Sequence, residues 1–310
     1  MKVFQLKSVI LFLIFLVTSG QLFPQKSPQK VFIESGILKA KLGDLRAALK
    51  DLNRAVALDS TVPESYYNRG LVHSGLKDYK SAIFDFSKVI LIKPTHAESY
   101  YNRGLAKDYL KDYQGAIRDY DKAVSLKPDY NEAFHNMGLA KFDLGDYTEA
   151  VKDFSRALQY KPDFTEAYYN RGLSRFNLRD LEGAILDFNE AIKLDSSQNV
   201  YFSSRGAARA AMGNYDEAIR DFSVAIGIMP DDTTSRMNLA LAYLYLKKYQ
   251  EAIEEYNQVV EFNPGDAEAL ANRGVAKQYL ADTPGACDDW KLAVQYGSEK
   301  AKSYLLKYCN

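Results

Sequence analysis

The chain has 310 residues, 47% of them hydrophobic and 26% charged, and its forty basic and forty acidic residues give a formal net charge of zero. That balance supplies no global field to gather nucleic acid or an anionic membrane surface, which argues against both as partners. Length alone would suggest two globular domains, but the order of the residues points elsewhere.

Residues 1–20 stand apart from the rest of the chain. Lys2 and Lys7 precede an apolar run from Val9 to Val17, after which come the small residues Thr18, Ser19 and Gly20. Basic, apolar and small segments in that order have the pattern of a secretory signal peptide. A run of nine apolar residues falls short of the roughly 20 needed to cross a bilayer core. The expectation is an exported protein, periplasmic or secreted, with residues 21–28 as a polar spacer. An uncleaved N-terminal membrane anchor is the alternative.

From residue 29 a period of 34 residues takes over. Glycine recurs at Gly36, Gly70, Gly104, Gly138, Gly172 and Gly206, alanine replaces it at Ala240, and glycine returns at Gly274. Twelve residues after each stands an alanine, from Ala48 to Ala286. A period held this way means one two-helix unit copied and stacked, here eight times: 29–62, 63–96, 97–130, 131–164, 165–198, 199–232, 233–266 and 267–297.

The third unit shows the logic. Tyr100, Gly104, Leu105 and Lys107 fall on one helical face, and Tyr113, Ala116, Ile117, Tyr120, Ala123, Val124 and Leu126 on another. Glycine inside a helix costs about 1 kcal/mol relative to alanine, so Gly104 predicts close approach of the paired helix, with Tyr120 filling the space between layers. Pro128 stops the second helix, and Pro94, Pro162, Pro230 and Pro264 hold the same place.

Small, small, aromatic, small and proline at these offsets resemble the tetratricopeptide repeat, over residues 29–297. The resemblance implies an all-α, right-handed α-solenoid of eight helix-turn-helix units. First helices would line a concave groove, and residues 298–310 would form a C-terminal capping helix. Two departures stand out: arginine mostly replaces the family's leucine before the glycine, and a basic residue mostly replaces its tyrosine three places after it. The ending ACDDWKLAVQYG, with a cap closing in Tyr308 and Cys309, resembles exported tetratricopeptide proteins of the Bacteroidetes. In an oxidising compartment disulfides persist. Cys287 and Cys309 lie ten residues before and twelve after Gly297, which brings them level if the last helices fold back, so a disulfide between them is expected.

Position 23 of every unit is acidic, and position 7 usually offers an arginine sixteen residues earlier. The expected structural ion pairs are Arg69 with Asp85, Arg103 with Asp119, Arg171 with Asp187, Arg205 with Asp221 and Arg273 with Asp289. Where position 7 holds Ser35 or Met137, position 11 supplies Lys39 or Lys141. Acids each matched by a base are not the paired carboxylates or mixed His and Cys clusters of acid-base or metal chemistry.

First-helix residues turned away from the second helix are the candidate binding groove. Position 6 forms a row of asparagines, among them Asn68, Asn102, Asn136 and Asn170, whose amides can hold an extended peptide backbone. A similar asparagine ladder is used by the tetratricopeptide domain of O-linked N-acetylglucosamine transferases; packing is the alternative use of such residues. Position 5 adds Tyr67, Tyr101, His135 and Tyr169, and positions 12 and 13 add Asp108, Tyr109, Phe142 and Phe176. Rigid aromatics beside polar groups have the composition of binding hot spots, although the same aromatics also suit the seam between repeats. Clamps that grip a C-terminal carboxylate need lysine and asparagine where this chain has Tyr67 and Leu71, or Tyr101 and Leu105, so that activity is not expected.

No nucleophile and base arrangement or phosphate loop is visible. The expectation is therefore a monomeric, non-enzymatic envelope scaffold without cofactor, metal or small-molecule substrate, binding an extended protein segment. A structural subunit of an envelope assembly is the alternative, and a glycan binder a weaker one.

Overall fold

The structure is a computed structural model that describes residues 27–309; the expected signal peptide and most of the spacer lie outside the described residues. Among the described residues there are 17 α-helices and no strand. They divide into two compact units, separated between Pro128 and Asp129.

The first unit holds α1 (Pro28–Lys41), α2 (Leu45–Leu58), α3 (Pro63–Gly75), α4 (Tyr79–Ile92), α5 (Ala97–Tyr109) and α6 (Tyr113–Leu126). The second holds α7 (Asn131–Asp143), α8 (Tyr147–Tyr160), α9 (Thr165–Asn177), α10 (Leu181–Leu194), α11 (Asn199–Ala211) and α12 (Tyr215–Ile228). It continues with α13 (Thr233–Tyr245), α14 (Tyr249–Phe262), α15 (Ala267–Tyr279), α16 (Thr283–Gln295) and α17 (Glu299–Tyr308). Within each unit odd and even helices pack as consecutive pairs, each even helix also meets the next odd one, and first helices touch first helices. This is the α-solenoid packing of helix pairs.

Local sequence fixes the ends of these helices. Asp44, Asp78, Asp112, Asp146, Asp180 and Asp282 each accept a hydrogen bond from the backbone N–H three residues on, capping the second helix of their pair. In the turn before each second helix the chain passes through a left-handed residue: Gly43, Gly145 and Gly213 in three repeats, but Lys77, Lys111, Arg179, Lys247 and Ala281 in five others.

Inside each pair the glycine explains itself. A Cβ built on Gly104 would lie 2.7 Å from Cε1 of Tyr120, and one on Gly172 would lie 2.7 Å from Cε1 of Phe188. The ring occupies the room that a methyl group would need. Ala116, Tyr120 and Ala123, like Ala184, Phe188 and Ala191, are fully buried, so small and aromatic residues interlock along the second helix.

At the C-terminus α17 lies against α16. Trp290 is buried beneath Tyr304 and Tyr308, at ring separations of 5.2 and 5.7 Å. Cys287 and Cys309 are joined, with their Cα atoms 5.8 Å apart.

Candidate protein-binding face

The first helices are fixed in register by buried charge. Arg69, Arg103, Arg171, Arg205 and Arg273 place Nη2 2.5–2.7 Å from Oδ1 of Asp85, Asp119, Asp187, Asp221 and Asp289. Nε completes a two-pronged contact in every case. The remaining Nη1 donates to a side chain sixteen residues earlier, in the preceding repeat's second helix: Asn53, Ser87, Ser155, Asn189 and Asn257. One guanidinium therefore ties three helices together.

Position 11 does more than compensate for a missing arginine. Lys107, Arg175, Arg209 and Lys277 lie 2.7–2.8 Å from the second oxygen of acids that already have an arginine. Most of these buried acids thus hold two cations. Lys39 and Lys141 serve Asp51 and Asp153 alone, at 2.5 and 2.6 Å. Hydrogen bonds from Lys39 and then Ser35 hold the Asp51 carboxyl below its ordinary range, whereas burial outweighs Lys141 and pushes that of Asp153 up. In the seventh repeat Arg236 reaches Glu255 at 2.8 Å. Among the described residues no group of three or more His, Cys, Asp or Glu could hold a metal ion.

Above this layer sit the candidate groove residues. Tyr67 is half-buried, with its ring 6.0 Å from Phe86 and 5.1 Å from His96, and burial raises its phenol pKa. Its hydroxyl accepts from Asn102 Nδ2 at 3.2 Å, and the same amide donates to the carbonyl of Glu98 at 2.8 Å. In the second unit His135 lies 4.6 Å from the Phe164 ring and 5.5 Å from Phe154. Burial lowers its pKa, and the neutral ring accepts from Asn170 Nδ2 at 3.1 Å. Tyr169 packs on Phe188 and Tyr201.

These contacts refine the asparagine row. Both amide hydrogens of Asn102 are committed, and Asn68 donates to the carbonyl of Glu64. Asn68 and Asn102 both keep Oδ1, which accepts no hydrogen bond among the described residues, and Asn68 also keeps one amide hydrogen. Asn102 therefore offers a partner's backbone an acceptor only, whereas Asn68 offers both an acceptor and a donor. Asn136 and Asp108 are half-buried and engaged in contacts of their own.

The other aromatics divide between seam and surface. Tyr101 lies 5.9 Å from Tyr120, Phe142 meets Tyr147 edge-on at 5.1 Å, and Phe176 packs beside Phe188. Tyr109 stacks flat on Tyr79 at 4.7 Å and is 68% exposed.

Recesses open along the first helices and are lined in part by second-helix residues. One of about 300 Å³ is lined by Ile37, Leu45, Asn68 and Leu71, among others. A larger one, about 360 Å³, opens between α11 and α13, beside Ala207, Ala210 and Ala211. The groove residues expected from sequence all lie in repeats two to five, and this recess is not among them. The available signal was three small residues in the sixth repeat where the fourth and fifth carry Leu139, Phe142 and Asp143, and Leu173, Phe176 and Asn177.

Comparison with known proteins agrees with this architecture. A model described as "TPR repeat" matches residues 38–77 and 138–179. Two described as "Tetratricopeptide repeat" match 63–96, 97–130 and 165–198, and 209–273. Together they cover more than half of the chain. No curated protein matches. Among solved structures, a tetratricopeptide repeat protein from Parabacteroides merdae is 22% identical, covering 91% of this chain and 99% of its own, with a TM-score of 0.52. The C-terminal part of a TPR repeat-containing protein from Cytophaga hutchinsonii is 15% identical, covering 77% and 98%, with a TM-score of 0.65. YrrB, described as a TPR protein with an unusual peptide-binding site, is 21% identical, covering 59% and 95%, with a TM-score of 0.54. At these identities the likeness concerns the fold. The repeat models, the glycine-to-ring contacts and the stacked helix pairs together place this chain in the tetratricopeptide repeat family.

Proposed function

We propose that the protein is a non-enzymatic, monomeric scaffold of the cell envelope that binds extended protein segments on its first-helix faces. The observation carrying this reading is the pairing of clamped aromatics with open acceptors: the Tyr67 ring is held against Phe86 and His96, while Asn68 and Asn102 keep Oδ1 for a partner's backbone. Rigid rings lose little conformational freedom on binding. Export is supported by the order of residues 1–20. The Cys287–Cys309 disulfide suits an oxidising compartment.

The test is capture from envelope extracts by the full chain and by a variant with Tyr101, Asn102 and Tyr169 changed to alanine. Loss of the captured protein in the variant, with its melting curve unchanged, is the expected result. Equal capture would move the binding site off these faces.

A further inference from the structure

We infer that repeats six to eight carry a separate anchor site for a partner segment presenting one large apolar side chain and, within about three residues of it, a lysine or arginine. The inference rests on the protein-binding reading above but on different residues.

The apolar half is the 360 Å³ recess. Ala207, Ala210 and Ala211 of α11 form one wall and Leu241 of α13 the other, above the buried ring of Phe222. Tyr215 and Tyr245 stack at 4.8 Å and 8° along its edge. Three side chains are truncated together here, and no neighbour fills the space they leave. The volume falls within the range of about 300–1,000 Å³ found for binding pockets. Open apolar walls of this kind gain from being covered.

The polar half adjoins it across α13. A recess of about 310 Å³ shares Asn238 and Leu241 with the first and is otherwise bounded by Thr233, Thr234, Met237, Asp266 and Glu268. Asn272, only 7% exposed, also faces it. Asp266 Oδ1 is occupied by the N–H groups of Glu268 and Ala269. Lys300 is directed to Asn272 Oδ1 at 3.3 Å, and neither Asp266 nor Glu268 has an ion-pair partner among the described residues. Two carboxylates in a concave polar recess select a cation and repel an acidic segment. Because the two recesses share Leu241 and Asn238, one extended chain advancing about 3.3 Å per residue spans both within a few residues.

The experiment uses the full chain and an array of ten-residue peptides in a glycine-serine background, carrying one phenylalanine with lysine two residues later, and twins with glutamate in place of the lysine. The expected result is at least tenfold stronger retention of the phenylalanine-lysine peptides. Ala210→Phe should abolish that retention by at least tenfold without loss of fold, because phenylalanine already stands at this place as Phe142 and Phe176. Ala211→Tyr, matching Tyr109 and Tyr279, is the second variant and should act in the same direction. Glu268→Lys should invert the preference between twins. Equal retention of the twins, or a folded Ala210→Phe chain that binds undiminished, overturns the inference. Self-association of the chain that Ala210→Phe removes overturns it too, in favour of a second copy as occupant. If array binding fails while envelope capture persists, only this site falls. If capture fails as well, the protein-binding reading falls with it.

Discussion

Arg103 grips Asp119 with two parallel hydrogen bonds, Nε to Oδ2 at 2.9 Å and Nη2 to Oδ1 at 2.6 Å, while its free Nη1 donates to Ser87 in the preceding repeat. The same three-way contact recurs at Arg69, Arg171, Arg205 and Arg273. Each of these repeats is therefore joined to its predecessor by charge-assisted hydrogen bonds as well as by apolar packing.

Removing one partner of that pair leaves the other charge buried. Asp119→Leu strands both Arg103 and Lys107 and should cost about 3–5 kcal/mol. Arg103→Leu should cost less, since Lys107 still holds the carboxylate. Arg103→Leu with Asp119→Leu should cost clearly less than the two single changes added together. Denaturant melts of the four chains check this; strict additivity would count against a coupled pair.

The fourth repeat has Met137 where others have the arginine, so Asp153 is served by Lys141 alone, with Glu149 opposing and Arg156 assisting from farther away. Burial raises the folded pKa of Asp153 above its unfolded value near 3.8. The stability this group contributes is complete below that unfolded value and is lost as pH rises through the folded one. Met137→Arg supplies the missing cation, and it should stabilise the protein by about 1–2 kcal/mol at pH 7 and by less at pH 3. Thermal melts at the two pH values measure the difference, and a gain independent of pH would be the contrary result.

Lys77, Lys111 and Arg179 occupy left-handed turns with φ near +60°, where three other repeats use glycine. Lys111→Gly should stabilise by about 0.5–1 kcal/mol, since the strain relieved at positive φ exceeds the added freedom of the unfolded chain. The same change at Lys80, a helical position, should instead destabilise by about 1 kcal/mol. Paired melting curves distinguish the two.

Native protein from an oxidising preparation should show no thiol that can be alkylated, and reduction should expose two, Cys287 and Cys309. Closing a loop of 22 residues corresponds to about 3 kcal/mol in the chain-entropy view. Reduction should therefore loosen α17 first, which hydrogen exchange of residues 299–308 would register. Two reactive thiols in the unreduced protein would oppose the pairing.

Much of the fold was legible because its determinants are local and periodic. Gly104, Ala116, Tyr120 and Pro128 mark two helices, their closest approach and their end, and each signal is repeated along the chain. The sixteen-residue step from Arg103 to Asp119 is likewise visible in sequence, because it repeats in step with the helices. The reach of Arg103 back to Ser87 is not, since it depends on how close the preceding second helix lies. The sequence also shows an asparagine row, but only the packed structure reveals that Tyr67 and the carbonyl of Glu98 take both amide hydrogens of Asn102.

Residue order alone therefore specifies the repeating unit, its helices and the residues that stack it, because periodicity and side-chain size act within one or two turns of chain. Which polar groups remain available, and where space is left unfilled, is settled by packing between repeats. Ala207, Ala210 and Ala211 are merely small residues until Leu241, Phe222 and the Tyr215–Tyr245 stack surround them. A recess is a property of what its neighbours fail to fill, and those neighbours come from another repeat.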